Sequence, residues 1–308
     1  MKNFINISDH SSSDLRAIID EAKTRKLNRK NLNKSAPDED KPFEGKSMAM
    51  IFEKPSTRTR MSFDIAAKQL GGSSIILNPD GIHYGKGDET LKDTAKVLTE
   101  YVDIVMLRTS SHKNLEEFGK YLDIPIINGL SDIGHPCQIM SDILTYEESN
   151  GTIEGKTVAW LGDGNNNMSN SLIEAAGKFK FNLKIACPKK YSPNKKILGW
   201  AKINKVNLTI TTKPEEALKN SDCVMTDKWV SMNDKVNKKV KKKTLKPFQV
   251  NKKLMSKANS DAIFMHCLPV GRGEEVTDDV IDGKQSVVWR QALNRVHAQK
   301  SIIKWCLD

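Results

Sequence analysis

The chain has 308 residues, 38% hydrophobic and 28% charged, an ordinary balance for a soluble globular protein with a core large enough to need no disulfide staples. At roughly 100–200 residues per domain, that length suggests two domains. Cys137, Cys187, Cys223, Cys267 and Cys306 are scattered, odd in number and never in C-x-x-C spacing, so neither a zinc site nor a disulfide framework is indicated, and a reducing, cytoplasmic setting is expected. The N-terminal residues lack the apolar core of a signal peptide, and no run of about 18 apolar residues occurs, so no membrane span is expected.

The net charge of +11 raises nucleic acid as a partner. Much of that charge lies in Lys235-Val236-Asn237-Lys238-Lys239-Val240-Lys241-Lys242-Lys243 and in Lys246, Lys252 and Lys253. These are almost all lysine, without the arginines and stacking rings that nucleic-acid surfaces interleave. A solvated loop-and-helix face is therefore expected, with no nucleic-acid partner.

In chain order, Asp9 to Lys26 reads as a helix, with Ser11, Ser12 and Ser13 available as caps and Leu15, Ile18, Ile19 and Ala22 on one apolar face. Ser47–Phe52 is an apolar strand, and Met61, Ile65, Ala66 and Leu70 then recur at helical spacing up to Gly71-Gly72. Ser74–Leu77 and Asp103–Leu107 read as strands, the second ending on Arg108. Leu91 to Leu98 and Leu115 to Tyr121 read as helices, and Ile124–Ile127 as another strand. A helix opens at Gly134-His135-Pro136-Cys137-Gln138 and breaks at Gly151.

The second half repeats the alternation. Thr157–Leu161, Leu183–Ala186, Leu208–Thr211, Cys223–Met225 and Ile263–His266 are candidate strands, with helices over Ser169–Lys178, Lys195–Ile203 and Pro214–Leu218 and a closing helix over Trp289–Leu307. The pattern predicts two open parallel-sheet α/β domains with a cleft between them, and a C-terminal helix packing back on the first. The expected boundaries are 1–145, 146–288 and 289–308. Ligands of such sheets bind at the carboxyl ends of the strands. Arg108, His135, the Gly162–Asn167 stretch, Asp227 and His266-Cys267 all fall there.

The strand-to-helix turn Glu53-Lys54-Pro55-Ser56-Thr57-Arg58-Thr59-Arg60 is suited to phosphate. Unpaired N–H groups and the positive end of the helix dipole collect at such a turn, and hydroxyls and guanidinium forks stand beside it. The same residues would also serve as a plain cap with solvated arginines. Gly162-Asp163-Gly164 resembles a dinucleotide fingerprint, but Asn167 stands where the third glycine belongs, so no nicotinamide cofactor is expected. The three asparagines Asn165, Asn166 and Asn167 suit an amino-acid carboxylate or amine. Cys267 read alone is better explained as a buried structural thiol, and His135 is equally well explained as a helix-capping histidine.

Taken together, Ser56-Thr57-Arg58-Thr59-Arg60, His135-Pro136-Cys137-Gln138 and His266-Cys267-Leu268-Pro269 resemble the signatures of the aspartate/ornithine transcarbamoylase family, in the family's order and nearly end to end. His-Cys-Leu-Pro and Asp227-Lys228-Trp229-Val230-Ser231-Met232 are similar to the ornithine branch. The resemblance implies transfer of a carbamoyl group from carbamoyl phosphate to L-ornithine in a homotrimer, with no metal or organic cofactor. It implies that Ser56, Thr57, Arg58 and Thr59 hold phosphate, and that Arg108, His135 and Gln138, with Pro136 and Cys137 beside them, approach the carbamoyl group. His83 belongs to the same set. Asn167, Asp227, Ser231 and Met232 would hold ornithine, and Cys267, Leu268 and Arg295 would complete the site. Arg58, Arg108, His135, Gln138, Asp227, Cys267 and Arg295 are the expected catalytic groups. The chain departs from the pattern at Asn233, where the family has glycine, in a His83–Thr90 loop longer by one residue, and in the small residues Val270-Gly271-Arg272-Gly273. A transcarbamoylase for another amine, such as putrescine or acetylornithine, and a basic nucleic-acid-binding protein are the alternatives.

Overall fold

The computed structural model describes residues 2–78, 89–230 and 237–308. They form two compact units, Met1–Ser141 with Leu293–Asp308, and Asp142–Ala292. His83, Lys86, Ser231, Met232, Asn233 and Lys235 lie outside the described residues.

In the first unit, Ser11 caps α1 (Ser12–Asn28) by accepting from the Asp14 N–H, and Leu15, Ile18, Ile19 and Ala22 are buried. The helix therefore starts three residues after Asp9, the expected start, because the Ser11 oxygen takes a first-turn donor. β1 (Ser47–Phe52), α2 (Thr57–Gln69), β2 (Ser73–Leu77), α3 (Leu91–Tyr101), β3 (Ile104–Arg108), α4 (His112–Tyr121), β4 (Ile126–Leu130) and α5 (Pro136–Asn150) follow. The four strands are all parallel, in the order β2-β1-β3-β4. β1 is central and buried from Met48 to Phe52, whereas the edge strand β2 leaves Ile75 and Ile76 exposed. Ala49, Ile51, Val105, Leu107, Leu115, Phe118 and Ile126 belong to one core cluster. Each large apolar side chain buried there contributes about 1.5–3 kcal/mol.

In the second unit, β5 (Thr157–Leu161), α6 (Asn167–Phe179), β6 (Asn182–Ala186), α7 (Lys195–Ile203), β7 (Leu208–Thr211), α8 (Pro214–Leu218), β8 (Cys223–Thr226), α9 (Lys238–Leu245), α10 (Lys252–Met255), β9 (Ile263–His266) and α11 (Asp278–Ile281) precede α12 (Val288–Leu307). Its five strands are also all parallel, in the order β7-β6-β5-β8-β9. Both sheets are thus the parallel sheets that the alternation of strands and helices predicts. Among the described residues no helix is long and apolar enough to cross a membrane.

From Leu293 onward, α12 belongs to the first unit. Lys300 is buried there, donating to Asp38 Oδ1 at 2.7 Å and to Gln69 Oε1 at 3.2 Å. Asp38 also accepts from Arg25 Nη1 at 2.9 Å and Arg29 Nη1 at 2.6 Å, and Lys26 donates to Asn294 at 2.7 Å. Removing one member of such a buried ionic set leaves an uncompensated charge, at a cost of roughly 3–5 kcal/mol. The C-terminal helix is therefore tied to α1 by charge, and to the segment before α1 by the Phe4, His10 and Trp305 rings.

Candidate active site

The register of the first sheet sets out the first group of candidate residues. Phe52 of β1 pairs with Arg108 of β3, so the carboxyl ends of these strands are level, at the point where the strand order reverses. Glu53 locks that end: its N–H donates to the Arg108 carbonyl at 3.0 Å, and its carboxylate accepts from the Thr109 hydroxyl at 2.7 Å and the Ser110 N–H at 3.0 Å. Ser56 then adopts extended backbone and caps α2, accepting the Thr59 N–H at 3.2 Å.

The first turn of α2 carries no acidic residue; it has Thr57, Arg58, Thr59 and Arg60. Cations at the positive end of a helix dipole are unfavourable by about 0.3–1 kcal/mol each. An anion bound at that end reverses the sign of the balance.

Thr59 is the hub of this group. It is fully buried, and its hydroxyl accepts from Arg295 Nη2 at 2.8 Å and from Arg108 Nη1 at 3.4 Å. His135, buried ahead of α5, is held well below its ordinary pKa by burial first and then by the charges of Arg295, Arg108 and Arg58. Its imidazole is therefore neutral at pH 7, able to donate one hydrogen bond without adding charge. Gln138 is buried in the first turn of the same helix. The Cys137 thiol faces inward, donating to the Asn128 carbonyl at 3.4 Å, and burial pushes it up to about 12, so it is not a thiolate at neutral pH. The fold thus brings Arg58, Thr59, Arg108, His135 and Arg295 together. Arg60 turns elsewhere, lying 5.4 Å over the Phe52 ring and donating to Asn78.

The second unit carries its own group of candidate residues, built the same way. The strand order of the second sheet reverses between β5 and β8. Gly162, with φ +126°, leaves β5 in a conformation that side chains disfavour, and a Cβ there would lie 3.3 Å from Trp229 Nε1. Asn166 caps α6 in a reciprocal box, accepting the Ser169 N–H at 2.8 Å while Ser169 Oγ accepts the Asn166 N–H at 3.1 Å. Asn167 begins that helix, partly exposed.

Thr226 of β8 pairs with His266 of β9, so the next residues, Asp227 and Cys267, emerge side by side. Cys267 Sγ lies 3.0 Å from Asp227 Oδ1. His266 was legible only as part of a motif, yet it shapes this end. Its Nδ1 accepts the Leu268 N–H at 2.8 Å, which puts the ring proton on Nε2, 3.2 Å from Glu275 Oε1. Its own N–H donates to Gln291, which holds Asp142. Leu268 is kept at φ +58°, a costly conformation for a leucine that the surrounding bonds over-determine.

Donor atoms of Asp227, His266 and Cys267 lie within 4.8 Å of one another, a spacing that a metal could use. Both ring nitrogens of His266 are already engaged with Leu268 and Glu275. The trio therefore fits a hydrogen-bonded amine site better than a metal centre.

The lysine run requires a correction. Lys238, Lys239 and Lys243 are exposed, as a solvated face requires, but Lys241 is only 5% exposed and its Nζ lies 2.6 Å from Asp163 Oδ2. It sits on the inward stripe of α9 with Leu245, and the sequence offers no cue beyond that four-residue spacing.

The two halves of the chain match two domain descriptions. Residues 2–148 match "Aspartate/ornithine carbamoyltransferase, carbamoyl-P binding domain", and residues 154–306 match the "Asp/Orn binding domain" of the same family. The chain is 50% identical over 308 residues to a protein from Brucella ovis named ornithine carbamoyltransferase, covering 100% of this chain and 96% of that one. It is 49% identical over 306 residues to the one from Nitrobacter winogradskyi, covering 99% and 97%. Among solved structures, ornithine carbamoyltransferase from Pyrococcus furiosus superimposes with a TM-score of 0.91 at 42% identity, covering 98% of this chain and 96% of that one. The anabolic enzyme from Campylobacter jejuni gives 0.90 at 37% identity, with 99% of each covered. With its fold, its motifs and its whole length matched in this way, the chain belongs to the aspartate/ornithine carbamoyltransferase family of enzymes.

Proposed function

We propose that the chain transfers the carbamoyl group of carbamoyl phosphate to the δ-amine of L-ornithine, giving L-citrulline and phosphate, as a step of arginine biosynthesis. The observation that carries the choice of amine is the Asp227–Cys267 pair, 3.0 Å apart at the ends of neighbouring strands. A carboxylate there suits an ammonium-bearing amino acid. It disfavours aspartate, whose side chain would bring a like charge to short range.

The residue roles follow from charge. Ser56, Thr57, Arg58 and Thr59 take the phosphate, and Arg58 and the helix N-terminus accept the charge with which it leaves. Arg108, His135 and Gln138 hold the carbamoyl group. As the amine attacks, negative charge grows on the carbonyl oxygen, where the Thr59 hydroxyl, the Arg108 guanidinium and the neutral His135 supply hydrogen bonds; donors of this kind are worth about 3–4 kcal/mol each in a transition state. Arg295 sets the Thr59 hydroxyl. Asn167 and Asp227 bind the amino-acid end of ornithine, and Cys267 orients the amine rather than forming a bond to it. The amine must be neutral to attack, and the remainder of the rate comes from holding two reactants in register. The reading includes a cytoplasmic homotrimer. Its support is the apolar edge of β2, where Ile75 and Ile76 are 48% and 37% exposed.

The test is product formation with a panel of amines. Citrulline from ornithine, with putrescine, acetylornithine and aspartate far behind, is the expected outcome. Preference for any of those three would replace the reading, and sedimentation at a single-chain mass would remove the trimer.

A further inference from the structure

We propose that Lys241 is a positioning residue for the amino-acid substrate: its ammonium fixes Asp163, which sets the turn that presents Asn167. The inference rests on the reading of Asn167 as a substrate residue.

Lys241 Nζ lies 2.6 Å from Asp163 Oδ2, with both side chains 6% exposed. The other carboxylate oxygen, Asp163 Oδ1, accepts the Asn165 N–H at 2.9 Å. The carboxylate thus has one oxygen on α9 and the other on the turn. The turn is held from its far side by Ser169, whose hydroxyl donates to the Gly164 carbonyl at 2.8 Å. Gly164 donates in turn to the Tyr191 carbonyl at 2.9 Å, and Lys241 lies 5.4 Å over the Tyr191 ring.

One turn further along α9, Leu245 packs in a cluster with Tyr191, Trp229 and Val230. Trp229 and Val230 lie two and three residues after Asp227. Residues four apart share a helix face. One face of α9 therefore braces the Asn167 turn through Lys241 and the Asp227 segment through Leu245. A buried ion pair contributes little net stability compared with apolar residues of like volume, so its use lies in fixing geometry.

The test compares Lys241→Met, Lys241→Arg and the double variant Lys241→Met/Asp163→Asn in the full chain, each substrate varied at saturation of the other. Lys241→Met is expected to raise the ornithine KM by about tenfold while the carbamoyl phosphate KM stays within about twofold. Lys241→Arg keeps the charge and should return the ornithine KM to within about threefold of the parent. The double variant leaves no unpaired buried charge, so it should melt close to the parent and still show the raised ornithine KM. A folded Lys241→Met or double variant with an unchanged ornithine KM overturns the proposal, as does an equal rise for both substrates. If neither variant folds, the pair is structural and the proposal falls. Failure of the underlying reading looks different, because Asn167→Ala would then leave the ornithine KM of the parent chain unchanged.

Discussion

Arg295 donates to the Thr59 hydroxyl at 2.8 Å across 236 residues of sequence. The same hydroxyl receives Arg108, so two guanidinium groups fix one oxygen at the start of α2. Arg295→Met should leave the Thr59 hydroxyl held by Arg108 alone and lower kcat/KM for carbamoyl phosphate by roughly 2–3 kcal/mol, with the ornithine KM nearly constant. Initial rates with each substrate varied decide it, and an ornithine-only defect would remove Arg295 from the phosphate half.

Arg58→Ala should cost roughly 3 kcal/mol or more of transition-state stabilisation, comparable to the loss of an oxyanion donor. Arg58 is only half-buried, so the melting temperature should hardly move. Citrulline production near the parent rate would refute its place in the phosphate site.

Asp227→Asn keeps the size of the side chain and removes its charge. Ornithine binding should weaken far more than carbamoyl phosphate binding, because phosphate is assigned to the Ser56–Thr59 turn. Cys267→Ala should lower turnover and ornithine affinity together without abolishing the reaction. Mass spectrometry of the enzyme quenched in turnover checks the second claim: a thiocarbamate on Cys267 would make the thiol a nucleophile.

Lys238, Lys239 and Lys243, all exposed, and Lys242, paired with Glu274, can be changed together to Gln with carbamoyl transfer almost intact, since surface pairs contribute about 0–1 kcal/mol. Lys241 must be left out of that set because of its buried contact with Asp163. If activity collapses in the fourfold variant while the fold persists, the basic face has a role in the reaction or in an obligatory partnership.

Acid should unfold the protein partly through histidine. His297 is held down to about 3, by burial first and then by the charges of Lys300, Lys26 and Arg29, and His135 is lowered in the same direction. In the unfolded chain both imidazoles bind a proton below about pH 6.5, whereas in the native state they do not. The unfolded state therefore gains protons as pH falls from about 6.5 towards 3, and stability drops across that window. His297 alone should account for about 3 kcal/mol by pH 4.5. Urea titrations from pH 7 to 4.5 measure the slope. His297→Gln should flatten it by close to one proton, and an unaltered slope would rule the residue out.

Periodicity revealed most of the fold, for a physical reason: strands covered on both faces, such as β1, β3 and β8, must be apolar at nearly every position. The Ser56–Arg60 turn was legible as a candidate phosphate site because hydroxyls and arginines where a helix begins are unusual enough to need an anion. What stayed hidden depends on tertiary distance. Nothing local couples Arg295 to Thr59, or His266 to the backbone of Leu268. Lys241 is chemically identical to the solvated lysines beside it, and only the direction in which its face of α9 points separates it from them.

The assignment of Leu293–Asp308 to the first unit bears on the order in which the chain can fold. A ribosome delivers β1 to α5 early, but Asp38 and Thr59 must wait for Lys300 and Arg295, which emerge last. Residues 142–292 are contiguous and need no such partner. The unit encoded second is therefore expected to reach protease resistance first during synthesis, ahead of the unit that carries the Ser56–Arg60 turn. Stalled nascent chains of increasing length, probed by brief proteolysis, would reveal the order. Early protection of residues 1–141 before Leu293 is exposed would show that the first unit closes without its last helix.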